Sequence, residues 1–230
     1  MKRIIILLLG FFLIASCSKD DDDKNIFKGE DFTPDKTIGK VGNYWDIKVR
    51  GLDIDGKVAV TSNNEGVTEF KLEVNNLATA LGEITYKGEK IDFNSPLTLR
   101  AKISTNTIAT YDYGSTGTDN PFILVKFDGK KGDKYTFKSG DKTTIREITD
   151  DNFEVDAFGL VIKAFQIKET LPENTLTIKT KTGQELQVSY ITYLVNHRFG
   201  LVNVMIYLKG YEGFPYLIVD ALKTNCDTKK

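Results

Sequence analysis

Residues 199–208, Phe199-Gly200-Leu201-Val202-Asn203-Val204-Met205-Ile206-Tyr207-Leu208, are apolar on both faces of an extended strand, and residues 160–167, Leu160-Val161-Ile162-Lys163-Ala164-Phe165-Gln166-Ile167, repeat the feature. A strand with one wet side alternates apolar and polar side chains, so both runs must be covered on two sides. In a β-sandwich such runs are central strands under a crossing loop. In a strongly curved sheet they turn one face to the core and the other to an apolar cavity. The rest of the body alternates with period two. Trp45, Ile47 and Val49 share one face; Phe70, Leu72 and Val74, then Leu97, Leu99, Ala101 and Ile103, then Ile123, Val125 and Phe127 do the same. Turn signals separate the runs at Asp55-Gly56, Asn64-Glu65-Gly66, Lys87-Gly88, Asp128-Gly129, Gly132-Asp133, Ser139-Gly140-Asp141 and Thr182-Gly183. About fourteen candidate strands result, with at most one helical turn over Leu77–Leu81. The chain is therefore expected to be all-β. It reads as an antiparallel meander forming a strongly curved sheet or half-barrel, with a β-sandwich as the alternative.

The chain begins differently. Met1-Lys2-Arg3 precedes an apolar run from Ile4 to Ile14 and then Ala15-Ser16-Cys17, the charged and apolar layout of a secretory signal. The run is too short to cross a bilayer, which takes about 20 helical residues. Small residues before a cysteine resemble the bacterial lipobox, in which the thiol takes a diacylglyceryl group and the chain is cut so that the cysteine leads. The following Ser18-Lys19-Asp20-Asp21-Asp22-Asp23 resembles the acidic export tract of Bacteroidota-type surface lipoproteins. The resemblance implies a cleaved signal helix over 1–16, lipidation (including palmitate) at Cys17, and a protein anchored in the outer membrane, facing the cell surface or, alternatively, the periplasm. Residues 17–36 are polar and acidic, too poor in apolar surface to order themselves, and read as a tether. A single all-β domain over 37–225 and a tail over 226–230 complete the division.

Composition narrows the function. The formal net charge is −1, no basic run is present, and Lys2 and Arg3 leave with the signal, so a nucleic-acid partner is not expected. Of two cysteines, Cys17 is committed to lipid, which leaves Cys226 without an intrachain partner, in a segment that reads as a frayed tail. His197 is the only histidine, too few for zinc and without a Gly-x-Ser-x-Gly elbow to serve. Asp53-Ile54-Asp55-Gly56 opens like a calcium loop but lacks the later acidic ligands, and reads as a hairpin turn. Asp46, Glu69, Glu73, Asp112, Glu147, Glu154 and Asp156 are strand or strand-end acids that a glycan hydrolase could pair across a cleft, though a solvated β face would carry them anyway. No catalytic residue, cofactor or metal is expected.

Two sets of residues remain as candidates for contact. Tyr211-Glu212-Gly213-Phe214-Pro215-Tyr216 places three aromatics around Gly and Pro in a loop between late strands, and Tyr111 and Tyr113 precede a Gly- and Thr-rich stretch. Rigid aromatic surface of this kind binds sugars or proteins, so Tyr111, Tyr113, Tyr211, Phe214 and Tyr216 form the candidate rim. The second set is a cavity wall for a lipid or other apolar ligand: Leu160, Ile162, Phe165, Leu201, Val204 and Met205.

A further likeness covers the body. Val41-Gly42-Asn43-Tyr44-Trp45-Asp46-Ile47-Lys48-Val49, Lys131-Gly132-Asp133-Lys134-Tyr135, Phe165-Gln166-Ile167-Lys168, and Tyr193-Leu194-Val195-Asn196 before Phe199-Gly200-Leu201-Val202 resemble the motif order of bacterial β-rich envelope proteins. Those have a curved antiparallel sheet related in shape to lipoprotein carriers. Here Asp156-Ala157-Phe158-Gly159 stands where that pattern has a small Ala-Gly turn. The likeness bears on fold more than on activity. The expectation is a non-catalytic binding module, with an apolar-ligand carrier or a carboxylate hydrolase as alternatives.

Overall fold

The computed structural model describes residues 34–110, 122–139 and 142–226. The expected signal peptide, Cys17, Ser18, Lys19, Asp20, Asp21, Asp22 and Asp23, and the rim tyrosines Tyr111 and Tyr113, lie outside the described residues. In chain order the elements are α1 (Pro34–Thr37), β1 (Tyr44–Val49), β2 (Ile54–Asn64), β3 (Val67–Val74), α2 (Leu77–Leu81), β4 (Glu83–Tyr86), β5 (Glu89–Lys90), β6 (Leu97–Ile103), β7 (Thr107–Thr110), β8 (Phe122–Lys126), β9 (Lys134–Ser139), β10 (Lys142–Ala157), β11 (Leu160–Thr170), β12 (Leu176–Lys179), β13 (Glu185–Asn196), β14 (Gly200–Leu208) and β15 (Leu217–Thr224). The single turn expected over Leu77–Leu81 is α2. Pro34, within the stretch expected to be tether, is fully buried.

The fold is all-β, a strongly curled antiparallel half-barrel. Twelve strands run β9-β10-β11-β13-β14-β15-β1-β2-β3-β6-β7-β8. The first and last strands of the chain, β1 and β15, pair in the middle of this path. Strand β13 carries two neighbours on one edge. Its residues Tyr190 to Val195 pair with β11 and Glu185 to Gln187 pair with β12, which in turn carries β4 and β5. Pro172, two residues beyond β11, explains the split: it has no N–H to continue the ladder, so the edge is handed to β12.

The two ends of the curl meet through side chains and loop backbone. Arg146 of β10 and the Tyr135 hydroxyl of β9 both donate to the Leu124 carbonyl of β8, the latter at 3.3 Å. Phe122 meets Phe137 edge-on at 5.0 Å, and Phe127 meets Phe165 at 5.8 Å. Strand β8 is an edge strand, and capping one of its carbonyls with buried donors satisfies part of the edge that a closed barrel would pair.

The inner face is filled. Trp45, Val60, Ala101, Ile103, Ile108, Val125, Phe127, Ile148, Phe165, Ile167 and Val195 form one cluster, and Val49, Ile54, Leu176, Ile178, Val188, Ile191, Leu208 and Leu217 a second. Cys226, expected in a frayed tail, is buried against the first cluster, and burial pushes its thiol up to about 11.

The doubly apolar runs acquire their second cover from the β10–β11 hairpin itself. Burial along β11 changes face between Ala164 and Phe165: Ile162 and Ala164 are buried on one side, Phe165 and Ile167 on the other. Opposite them, β10 carries two register shifts, at Ile148/Asp150 and Asp150/Phe153, and such bulges bend a hairpin. Phe153, Val155 and Ala157 thereby pack with Ile162, Ala164, Leu194, Phe199 and Val202 in a third cluster. At the tip, Phe158 takes φ +55°, a conformation a bulky residue rarely adopts, and its ring stands 5.2 Å from Phe199. Gly159 beside it, at φ +76°, completes a two-residue turn that needs positive φ at both positions.

Candidate functional site

The loop of residues 209–216 joining β14 to β15 carries the exposed aromatics. Its backbone is tied at several points: Tyr211 N–H donates to Leu208 O at 3.1 Å, Phe214 N–H to Tyr211 O at 3.4 Å, and Tyr216 N–H to Ile206 O at 2.7 Å. Glu212 adds two ties, accepting from Gly210 N–H on its carboxylate at 3.0 Å and from the Tyr190 hydroxyl on its carbonyl at 2.9 Å. The Gly210 hydrogen bond holds the Glu212 carboxyl below its ordinary range. With the backbone secured, the rings face solvent: Tyr211 is 74% exposed, Phe214 84% and Tyr216 39%. Large apolar side chains clustered on one surface loop mark a contact surface more often than isolated ones do.

The adjoining sheet surface continues the aromatic character. Tyr190 and Tyr207, on neighbouring strands β13 and β14, stack at 4.3 Å with 18° between planes, and Lys168 Nζ sits 4.0 Å from the Tyr190 ring centre. Burial raises the hydroxyl pKa of both, and for Tyr190 the neighbouring Tyr207 and Glu212 act in the same direction. On another side of Tyr211 lies a groove of about 280 Å³, lined by Gln184, Glu185, Leu186, Gln187, Leu208, Lys209 and Tyr211. Lys209 is held there by Glu173 at 2.5 Å, and Gln187 by Asn174 at 3.1 Å.

A second groove, of about 390 Å³, opens between the bent β10–β11 tip and strands β14 and β15. Phe153, Val155, Ala157, Phe158, Leu194, Val202, Met205 and Ile218 give it an apolar wall; Arg50, Asn203 and Asp220 give it a polar one. Arg50 holds Asp220 with two bonds of 2.9 and 3.0 Å, and Asn203 Nδ2 donates to the same carboxylate at 2.7 Å.

Tyr211, Phe214 and Tyr216 are together and exposed on one loop. The six cavity-wall residues are not gathered round one space. Met205 lines the second groove, Ile162 is buried beneath the bent hairpin, and Phe165 belongs to the inner core. Val204 packs against the second cluster, while Leu160 and Leu201 are exposed. Asp112 lies outside the described residues; of the other strand acids, Glu73 pairs with Lys71 at 2.9 Å, Glu147 with Lys134 at 3.3 Å, Glu154 with Lys163 at 3.9 Å, and Glu69 accepts from Thr61 at 2.7 Å. Asp55 accepts from Asn75 beside the β1–β2 hairpin. His197 lies tilted against Phe127 at 4.6 Å and meets Phe165 edge-on at 5.4 Å. Among the described residues no group of three or more His, Cys, Asp or Glu is placed to hold a metal ion, and no helix is long and apolar enough to cross a membrane.

Sequence reading missed the most buried charges. Arg146 and Glu169, 3% and 1% exposed, form an ion pair on the inner face, and the Tyr193 hydroxyl donates to Glu169 at 2.9 Å. The Arg146 guanidinium lies over the rings of Phe122 and Tyr193 at 4.7 and 4.9 Å. Burial opposes the charge of Arg146, but Glu169 and the adjacent tyrosines outweigh it and hold its pKa above the ordinary value. Burial also pushes the Tyr135 hydroxyl up to about 12 and that of Tyr193 well above its usual range. The available signal was phase: Glu169 continues the buried series Phe165, Ile167, and Arg146 shares the face of Ile148.

Comparison with known protein families, curated proteins and solved structures finds no match to this chain. Fold and site together define an all-β half-barrel that displays an aromatic loop.

Proposed function

We propose that the protein is a lipid-anchored, non-catalytic binding module of the outer membrane, tethered through Cys17, facing the cell surface and engaging its target through the aromatic loop 209–216. The observation that carries this reading is the exposure of Tyr211, Phe214 and Tyr216 on a backbone tied in place by Glu212, Leu208 and Ile206. Exposed rings on a fixed loop offer contact area at little entropic cost on binding, because few torsions remain to be frozen. The lipid anchor rests on the sequence before and after Cys17.

The test of binding compares the full-length protein with a variant carrying Tyr211→Ser, Phe214→Ser and Tyr216→Ser, each exposed to isolated envelope glycan and envelope protein fractions. Retention by one fraction that the triple variant loses is expected; equal retention by both proteins refutes the role of the loop. The anchor is tested separately by metabolic labelling with an alkyne fatty acid, which should mark the wild type and not Cys17→Ala.

The groove beside Phe153 and Met205 supports a second reading, an apolar-ligand carrier. Its site would lie under the bent hairpin, since the interior of the half-barrel is occupied by side chains. Lipid extraction of purified protein separates the two: a stoichiometric apolar ligand favours the carrier.

A further inference from the structure

We infer that the groove beside Tyr211 is a carbohydrate subsite, built to hold a sugar of one or two rings against the Tyr211 face. This inference rests on the proposed role of the aromatic loop and names the ligand class for it. Three observations lead to it. The lining combines one exposed aromatic residue with Gln184, Glu185, Gln187 and Lys209, so residues bearing amide, carboxylate and ammonium groups share the groove with an aromatic one. A pyranose has the matching chemistry: an apolar C–H face that stacks on a ring, and a rim of hydroxyls that donate and accept in pairs. Amide side chains offer both functions from one group.

On the edge toward β12 the backbone around the groove is already committed. Glu185, Leu186 and Gln187 pair with β12, and the Gln187 carbonyl accepts from Lys209 N–H at 2.8 Å. Thr180 N–H donates to the Gln184 carbonyl at 2.8 Å, and Gln184 N–H donates to Thr180 Oγ1 at 3.2 Å. An extended peptide that binds by adding a strand needs a run of free backbone donors and acceptors. On the groove side β14 ends at Leu208 and the Lys209 N–H takes the Gln187 carbonyl, which leaves Gln184 to Leu186, shorter than a strand of roughly five or six residues.

Size agrees. The space of about 280 Å³ falls just below the roughly 300–1,000 Å³ of pockets for drug-sized ligands, which suits a short saccharide better than a folded partner. The Tyr211 backbone is tied to Leu208, while Lys209 meets Glu173 and Gln187 meets Asn174 at the exposed rim of the groove.

The test is saturation-transfer difference NMR on the full-length protein in a polyoxyethylene detergent, avoiding sugar-headed detergents, with maltose, cellobiose, lactose and chitobiose as probes. At least one disaccharide is expected to receive saturation, strongest at ring C–H protons. Its affinity should fall by about tenfold or more in Tyr211→Ala, the equivalent of losing one aromatic contact. Tyr211→Phe should retain it, and Gln187→Leu should weaken it with the ring intact. Absence of transfer to all four probes, or transfer unchanged in Tyr211→Ala, overturns the inference. If sugars fail while the loop triple variant still loses the envelope fraction, the subsite is wrong and the binding-module reading stands. If that variant also binds like wild type, both fall.

Discussion

Removing Arg146 alone should harm the fold more than removing Arg146 and Glu169 together. In Arg146→Met, Glu169 is left 1% exposed with no cation beside it, and the Leu124 carbonyl loses one of its two donors. Breaking a buried pair in this way costs about 3–5 kcal/mol. In Arg146→Met/Glu169→Leu the uncompensated charge is gone. What remains is the Tyr193 hydroxyl without its acceptor, at about 1–3 kcal/mol, and Leu124 still accepts from Tyr135. The pair is also incompletely satisfied as it stands, since Arg146 Nε and Glu169 Oε1 find no hydrogen-bond partner among the described residues. Apolar replacement therefore forfeits less than a fully bonded network would. Thermal unfolding followed by fluorescence of Trp45, the only tryptophan and a buried one, reads both variants. For a domain of this size each 1 kcal/mol moves the melting temperature by about 2–4 °C, so the single variant should melt roughly 6–20 °C below wild type. The double variant should recover a clear part of that loss. A double variant equal to or less stable than Arg146→Met refutes the argument, because the cost would then lie in lost packing or in the Leu124 contact and not in a stranded charge.

Stability should fall at alkaline pH. The folded-state pKa values of Cys226, Tyr135 and Tyr193 are all raised by burial, so the folded chain keeps these protons after the unfolded chain has shed them. The stability they contribute is fully present below the unfolded values of about 8.5 and 10. It is lost as pH rises, through about 11 for Cys226 and about 12 for Tyr135. Denaturant midpoints measured from pH 8 upward should show this decline, and a slope unaltered in Cys226→Ala would remove that residue from the account. Gly56→Ala should destabilise by about 1–3 kcal/mol, because a Cβ there would stand 2.5 Å from the backbone oxygen of Glu73 and β2 and β3 would have to shift; calorimetry checks it, and a melting point equal to wild type refutes it. Lys209→Ala should change the unfolding free energy by less than about 1 kcal/mol, since its partner Glu173 is exposed, while altering saccharide affinity at the Tyr211 groove.

What the sequence could reveal followed from whether the relevant constraint is local. Some hairpins were legible because X-Gly pairs encode their turns, as at Glu65-Gly66 and Lys87-Gly88, where both residues take positive φ. Asp55-Gly56, read as a turn, lies instead inside β2 opposite Lys48 and Ile47, and the β1–β2 turn falls over 50–53. The aromatic loop was legible because Gly210, Gly213 and Pro215 interrupt the pattern around it. The need for cover on both faces of β11 and β14 was legible too, but not the means. That depends on two register shifts in β10 that no apolar spacing encodes, so side chains expected to share a cavity wall were distributed to different clusters. The Arg146–Glu169 pair was hidden for a related reason. The two residues lie 23 apart in sequence and meet only through the β10–β11 register.

The fold also sets a direction. The described chain starts at α1, where the Thr37 hydroxyl donates to the His197 carbonyl at 3.2 Å and Ile38 lies close to Gly200, so the body is entered at the β13–β14 turn. Strand β14 leads away from that turn from Gly200 to Leu208, and the aromatic loop follows directly. Nine residues at about 3.3 Å each separate the two by roughly 26–30 Å, most of the length of a small domain. A tether running from Cys17 would therefore hold the body by one end of the sheet and leave Tyr211, Phe214 and Tyr216 at the other. Under the proposed anchoring, β14 serves as the spacer: its length fixes the distance between the point of attachment and the surface offered for contact.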